Sequence, residues 1–229
     1  MQKNEHMTIV ENINKIKSSL PETVTLVAVS KTKPNSDIME AYDAGQRVFG
    51  ENKVQELTRK HEELPQDIQW HFIGHLQSNK VKYIAPFVSL LHGVDSLKLL
   101  TTINKEGKKN NRVIKCLLQF HIAEESTKFG FSVDELDELI KNDAILEFEN
   151  VEICGVMGMA TYTDDKSQVA KEFSVLANIF DQLKKKHFSK QEYFREISMG
   201  MSGDFDIAIK QGSTMVRIGS TIFGARNYH

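Results

Sequence analysis

The sequence predicts an α/β protein: one (β/α)8 barrel with an extra N-terminal helix and no second β domain. Three observations predict it. Short β-rich runs alternate with amphipathic stretches along the chain, eight such runs can be counted, and 229 residues is close to the roughly 250 usual for a barrel of eight units. A doubly wound open sheet is the other arrangement this alternation allows. The barrel uses the whole chain, so residues 1–229 are expected to form one domain.

The elements follow in order. A leading helix is expected over 7–20, where Ile9, Ile13 and Ile16 share one face. The run VTLVAVS (24–30) is continuous and β-branched, as a parallel strand buried on both faces should be. Ser36 is expected to cap a helix that stops at Gly45, before a second strand at 46–50. Further strands are read at 68–74, 88–94, 112–120, 151–158, 194–198 and 214–219. Helices are read between them, near 52–64, 77–84, 96–106, 132–141, 166–186 and 203–211.

Composition narrows the function. Hydrophobic residues make up 40% and charged residues 26%, enough for a core and a soluble surface. Mean hydropathy is −0.36, and no uncharged stretch approaches the roughly 18 apolar residues of a spanning helix. With 29 basic against 31 acidic residues, no positive field is available for a nucleic-acid backbone. The first ten residues carry Lys3, Glu5 and His6 and do not read as a secretory signal. Cys116 and Cys154 lie in apolar runs without metal-ligand spacing, which fits reduced core thiols in a cytoplasmic protein.

In barrels of this kind the chemistry sits at the carboxyl ends of the strands. The expected strand ends bring together Lys31, Asn52, His71, Gly74, Asp95, His121, Met157, Ser198, Met199, Arg217 and Gly219. Lys31 follows LVAV almost directly. Desolvated and near the cation Lys33, its amine is expected to be neutral, which Schiff-base chemistry requires; the alternative is a surface lysine that snorkels to water. The segment 198–212 leads through glycines and serines into a helix, with Ser202 as expected N-cap. Ser220 and Thr221 follow the last strand, and phosphate sites in such barrels form in these places. Ordinary capping and turns are the other reading of the same residues.

Arg217 alternates with Val216 and Ile218 and is expected to point into the barrel, toward a structural carboxylate or a ligand acceptor. Asn52 reads as an N-cap or a ligand contact. His71 and His75 have no visible carboxylate partner, Met157 and Met159 suit core packing or a flat ligand, and the loop 125–131 suits a lid.

The segments LVAVSKTKP (26–34), AGQRVFGENKVQE (44–56), WHFIGHLQSNK (70–80), SMGMSGD (198–204) and GSTMVRIGSTIFGAR (212–226) resemble the pyridoxal phosphate homeostasis family. Its members are also called proline synthase co-transcribed homologues, and its barrel is similar to that of alanine racemase, fold type III among pyridoxal phosphate proteins. The resemblance implies pyridoxal 5'-phosphate as cofactor, held by Lys31 as an internal aldimine. It implies a phosphate site at Ser202, Gly219 and Ser220, with Arg217 facing the pyridine nitrogen and Asn52, Met157, Ser198 and Met199 lining the ring.

It also implies a carrier that binds, buffers or delivers the cofactor and affects amino-acid and keto-acid balance, without strong catalytic activity. An arginine at the ring nitrogen cannot maintain its proton, and the second racemase tyrosine comes from a β domain that is not expected here; Tyr228 lies in the tail. Apo pyridoxal phosphate enzymes are expected recipients, Lys33 or Lys128 is a candidate secondary amine in transfer, and the chain is expected to be monomeric. A weak amino-acid racemase, a class I Schiff-base aldolase and a protein-interaction scaffold are the alternatives.

Overall fold

The computed structural model describes residues 7–124, 130–141 and 148–224. Eight parallel strands close into a barrel in chain order. They are β1 (Thr25–Val29), β2 (Val48–Glu51), β3 (Gln69–Phe72), β4 (Leu90–Val94), β5 (Ile114–Gln119), β6 (Val151–Met157), β7 (Glu196–Met201) and β8 (Met215–Ile218). The closing seam pairs Val27 with Arg217 and Ala28 with Ile218, so the first strand lies directly against the last.

Helices alternate with the strands: α1 (Ile9–Ser19), α2 (Asn35–Asp43), α3 (Val54–Glu63), α4 (Val81–Ile84), α5 (Leu97–Lys109), α6 (Val133–Lys141), α7 (Lys166–Lys186), α8 (Phe205–Lys210) and α9 (Ser220–Phe223). The extra helix α1 begins with a capping box, in which Thr8 and Glu11 satisfy each other's backbone N–H groups. It buries Ile13 and Ile16, and the Asn12 side chain ties it to the Ile222 carbonyl.

Three local expectations are corrected. Ser36 lies inside α2, whose N-cap is Pro34; the proline ring already holds the extended φ of −69° that a cap needs. The helix near 77–84 is a 3-10 turn, Ser78–Lys80, running into the single turn of α4. β7 continues past Ser198 to Met201. Gly200 permits this with φ +95°, because a Cβ there would lie 2.6 Å from that of Ala208 in α8.

Strand alternation sorts the core into two layers. Outward residues such as Phe49, Trp70, Phe72, Leu91 and Val216 pack with the helices, whereas Val27, Leu90, Leu117, Cys154, Met157 and Met215 fill the barrel. Cys116 belongs to the outer layer and Cys154 to the inner, and both are buried free thiols. Burial pushes the Cys116 thiol well above its ordinary range and that of Cys154 up to about 12, so both stay protonated. No helix among the described residues is long and apolar enough to cross a membrane.

Candidate functional site at the carboxyl mouth of the barrel

Lys31 sits in the turn that leaves β1, and its neighbours fix that turn. Ser30 is fully buried and donates its hydroxyl to Glu51 Oε1 at 2.6 Å. Lys60, reaching inward from α3 and also fully buried, donates to Glu51 at 2.8 Å, to Glu56 at 2.8 Å and to the Ser30 carbonyl at 2.9 Å. Glu56 in turn accepts the Thr32 N–H at 2.7 Å. Thr32 holds φ +65°, a left-handed conformation that a β-branched residue rarely adopts. Backbone strain of this kind persists only where the surroundings impose it, and here the Lys60 network does so. Burial pushes the Glu51 carboxyl up, while the Lys60 charge opposes that shift.

Lys33 does not stand over Lys31 as a loose cation. Its ammonium donates to the carbonyls of Phe223 and Gly224, at 2.7 and 3.3 Å, at the carboxyl end of α9. That helix end suits a positive charge, and the contact ties the Lys31 turn to the segment after β8.

Arg217 points into the barrel, as its alternation predicts, and is 4% exposed. Of the two expected partners, no carboxylate is bonded to it among the described residues. Nη1 donates to Ser198 Oγ at 2.6 Å and Nη2 to the Gly158 carbonyl at 3.2 Å, while Asp204 acts on it only through space. Burial lowers its pKa to about 10, so it remains charged near neutrality. A guanidinium has five N–H donors, and two are spent here. Ser198 continues inward to His92 Nδ1 at 2.9 Å, and His92 Nε2 meets His71 Nδ1 at 3.0 Å. This buried column of Arg217, Ser198, His92 and His71 replaces the branched apolar residues that ordinarily fill such a barrel.

Across the mouth, Ser202 is not a helix cap, because Asp204 occupies that position for α8 and its carboxylate accepts the Met201 N–H at 2.5 Å. Ser202 Oγ accepts the Gly219 N–H at 3.2 Å instead and joins the ends of β7 and β8. Gly219 lies against Val29, next to the Lys31 turn. Ser220 opens α9, so its N–H and that of Thr221 have no intrahelical acceptor. A Cβ built on Gly203 would meet nothing within 4 Å, which leaves room for a bound group beside Ser202. A strand-end lysine, spare arginine donors and open space beside backbone N–H groups fit pyridoxal phosphate.

The remaining expected residues divide. Asn52 stands at the end of β2 against Gly74, where a Cβ would lie 2.7 Å from the Asn52 carbonyl; the N-cap of α3 is Lys53, so Asn52 is not a cap. Met157 belongs to the inner cluster, with Met159 packed beside it. Met199 does not line the interior: its side chain packs with the outer layer and its carbonyl accepts the Ser213 hydroxyl, because alternation from Ser198 turns it outward.

His75 has a carboxylate partner, Asp95, with Nδ1 and Oδ2 3.0 Å apart at the ends of β3 and β4. His121 is exposed and joined through its backbone N–H to Phe131. Most of the expected lid lies outside the described residues, as do Lys128 and Tyr228; its end, Phe131, is buried and bonded to the Gln119 carbonyl at 2.7 Å. His92, Glu51 and Lys60 were not anticipated. Only Lys60, a cation in line with Val54 and Leu57 on α3, carries a signal in the sequence.

Known proteins support the fold and its affiliation. The model of the alanine racemase N-terminal domain matches residues 7–227. A protein of Aquifex aeolicus named pyridoxal phosphate homeostasis protein is 40% identical over 204 residues, covering 89% of this chain and 87% of its own. PipY of Synechococcus elongatus, solved with PLP bound, superposes with a TM-score of 0.86 at 33% identity, over 95% of this chain and all of its own. The alanine racemase of Bartonella henselae shares the fold at TM-score 0.73 and 19% identity, with 58% of its length covered. By sequence and by fold, this chain belongs to the pyridoxal phosphate homeostasis family, built on the alanine racemase N-terminal barrel.

Proposed function

We propose that this protein binds pyridoxal 5'-phosphate at the carboxyl mouth of its barrel, through Lys31, and that it buffers and delivers the cofactor. The observation that supports this reading is the clamped, left-handed turn at Thr32, which carries Lys31 just past Val29, the residue that Gly219 packs against, on the strand paired with the one that bears the buried Arg217. When bound, pyridoxal phosphate supplies an aldehyde that a primary amine can hold and a ring able to take up electron density.

The chain's own residues then divide the work. The Lys60–Glu51–Ser30 network fixes the backbone that carries the Lys31 amine. Arg217 offers its spare N–H donors to the ring nitrogen and, being unable to take a proton, keeps that nitrogen unprotonated. Ser202, Gly219 and Ser220 receive the phosphate, while Asn52, Met157 and Ser198 border the ring. Met199 contributes no side chain to that border.

Racemisation needs an acid or base on each face of the substrate carbon. Among the described tyrosines, Tyr162 follows β6 and is 99% exposed, whereas Tyr42, Tyr83 and Tyr193 lie on the outer helices or near the opposite mouth. These features favour a carrier over a racemase, as do the names of the curated relatives. The same reading takes a monomeric cytoplasmic chain of one domain, with apo enzymes as recipients of the cofactor.

The test is the near-visible spectrum of wild-type and Lys31→Ala protein, each incubated with pyridoxal phosphate, desalted and treated with borohydride. A band in the wild type that reduction removes and the variant lacks is the expected result. Absence of the band from both proteins overturns the cofactor reading and favours the aldolase. Exchange of the α-proton of alanine by the loaded protein would restore the racemase.

A further inference from the structure

The opposite, amino-terminal mouth of the barrel holds a cavity of about 350 Å³. Its wall is polar, with Gln69, Lys115, Glu152 and Glu196 at the starts of β3, β5, β6 and β7. Amino-terminal faces of such barrels ordinarily serve stability alone. Here the inner wall includes His71, which is 5% exposed. His71 Nδ1 is taken by His92, and Nε2 has no hydrogen-bond partner among the described residues.

The direction of the buried column fixes what His71 offers. Arg217 can only donate, so Ser198 Oγ accepts from it; His92 Nδ1 is the one acceptor that the described residues offer the buried Ser198 hydrogen, and the arrangement that leaves this hydroxyl satisfied turns it there. Burial keeps both histidines neutral, with the pKa of His71 down to about 3, so each ring carries one proton. His92 therefore carries its proton on Nε2 and donates it to His71 Nδ1. The proton of His71 is then on Nε2, a buried donor on the wall of the cavity with no acceptor among the described residues.

We propose that this mouth is a second small-molecule site, which takes a small carboxylate anion whose oxygen accepts from His71 Nε2. The volume is at the lower end of ligand pockets, suited to an acid of a few carbons. Lys115 and Arg195 stand on the rim, 3.6 Å from Glu152 and 3.4 Å from Glu196, and with Arg112, which also lines the cavity, the cations outnumber these two carboxylates. Those two carboxylates repel a multiply charged anion such as phosphate and would favour an acid that also carries a cation. The class therefore includes keto acids and amino acids, which share the carboxylate. That an anion here polarises the column as far as the cofactor rests on the proposed function; the binding itself does not.

The test is a titration of the full-length chain, with and without pyridoxal phosphate, followed by long-range proton–nitrogen spectra of its histidines. The probes are acetate, pyruvate and trimethylglycine, none of which has a primary amine to compete for the cofactor; chloride at equal ionic strength is the control. The expected result is an Nε2-protonated tautomer at His71 and His92 and a saturable downfield shift of the His71 Nε2 proton with acetate. Tighter binding of pyruvate points to keto acids, and tighter binding of trimethylglycine to amino acids. A Lys115→Ala, Arg195→Ala double variant, altered only at exposed side chains, should bind at least fivefold more weakly with the tautomers unchanged. An Nδ1-protonated His71, or a shift that chloride reproduces, overturns the proposal. Because the binding needs neither Lys31 nor the cofactor, its failure is separable from that of the spectral test.

Discussion

The two sides of the carboxyl mouth are built by opposite means. On the Lys31 side, a buried ammonium, a buried carboxylate and a buried hydroxyl converge on one strained turn. On the far side, Ser202, Gly203, Gly219 and Ser220 rely on turns, two short helices and one hydroxyl-to-backbone bond. A lysine has a long stem, and its amine is aimed only if the backbone beneath it is fixed; buried charges supply that rigidity at a high desolvation cost. An oxyanion is received by backbone N–H groups that the fold already aligns, and no buried ion is needed. The lysine side should therefore be the brittle one.

Removing Lys60 is the strongest way to break that contrast. Lys60→Ala leaves Glu51 buried without its cation and should cost about 3–5 kcal/mol in urea unfolding. A cost below about 1 kcal/mol would mean that the clamp does not hold the turn. If the truncated protein stays folded, Thr32 is free to leave its left-handed conformation and uptake of pyridoxal phosphate should fall with the loss of stability.

Acid titration probes the column between the two mouths. His71 has its pKa depressed by burial from 6.5 to about 3, and that of His92 is lowered in the same direction. A base with a depressed folded pKa binds fewer protons folded than unfolded. Its stabilising contribution is complete above pH 6.5 and declines as pH falls from there toward the folded value. The slope approaches about 1.4 kcal/mol per pH unit for each histidine. A His71→Asn, His92→Asn variant should lose most of this slope, and an unchanged profile would assign acid sensitivity to other groups.

The contrast also explains what was legible in the sequence. Strand order, barrel closure and the inward Arg217 were readable, because each depends on local periodicity and on the requirement that a buried charge be satisfied. The place of Lys31 in the turn that leaves β1 was readable too, because a cation two residues past Val29 is out of place in a buried strand. The clamp was not readable: Ser30, Glu51 and Lys60 meet only when β1, β2 and α3 pack together. His75 and Asp95 likewise meet across neighbouring strand ends, 20 residues apart in sequence. Met199 was misplaced because a motif transfers a residue without its strand face, and one step from inward Ser198 reverses that face. Ser202 was read as a cap because serine before a helix usually is one. Here Asp204 is nearer the helix start, and the Ser202 hydroxyl is turned to the next strand.

The smallest expected effect separates binding from folding on the far side. Ser202→Ala removes one hydroxyl acceptor from the half-buried Gly219 N–H and should cost about 1 kcal/mol of stability or less, the net worth of one ordinary hydrogen bond. If Ser202 also receives the phosphate, the same substitution should weaken retention of pyridoxal phosphate by tenfold or more, since bonds to a charged oxyanion are the stronger kind. Desalting followed by the absorbance of the retained cofactor reads that loss, and urea unfolding reads the other. Equal small losses in both would confine Ser202 to joining β7 to β8. A selective loss of retention would show that the weakly built side of the mouth is where the cofactor's charge is held, and that the clamp opposite serves only to aim the amine.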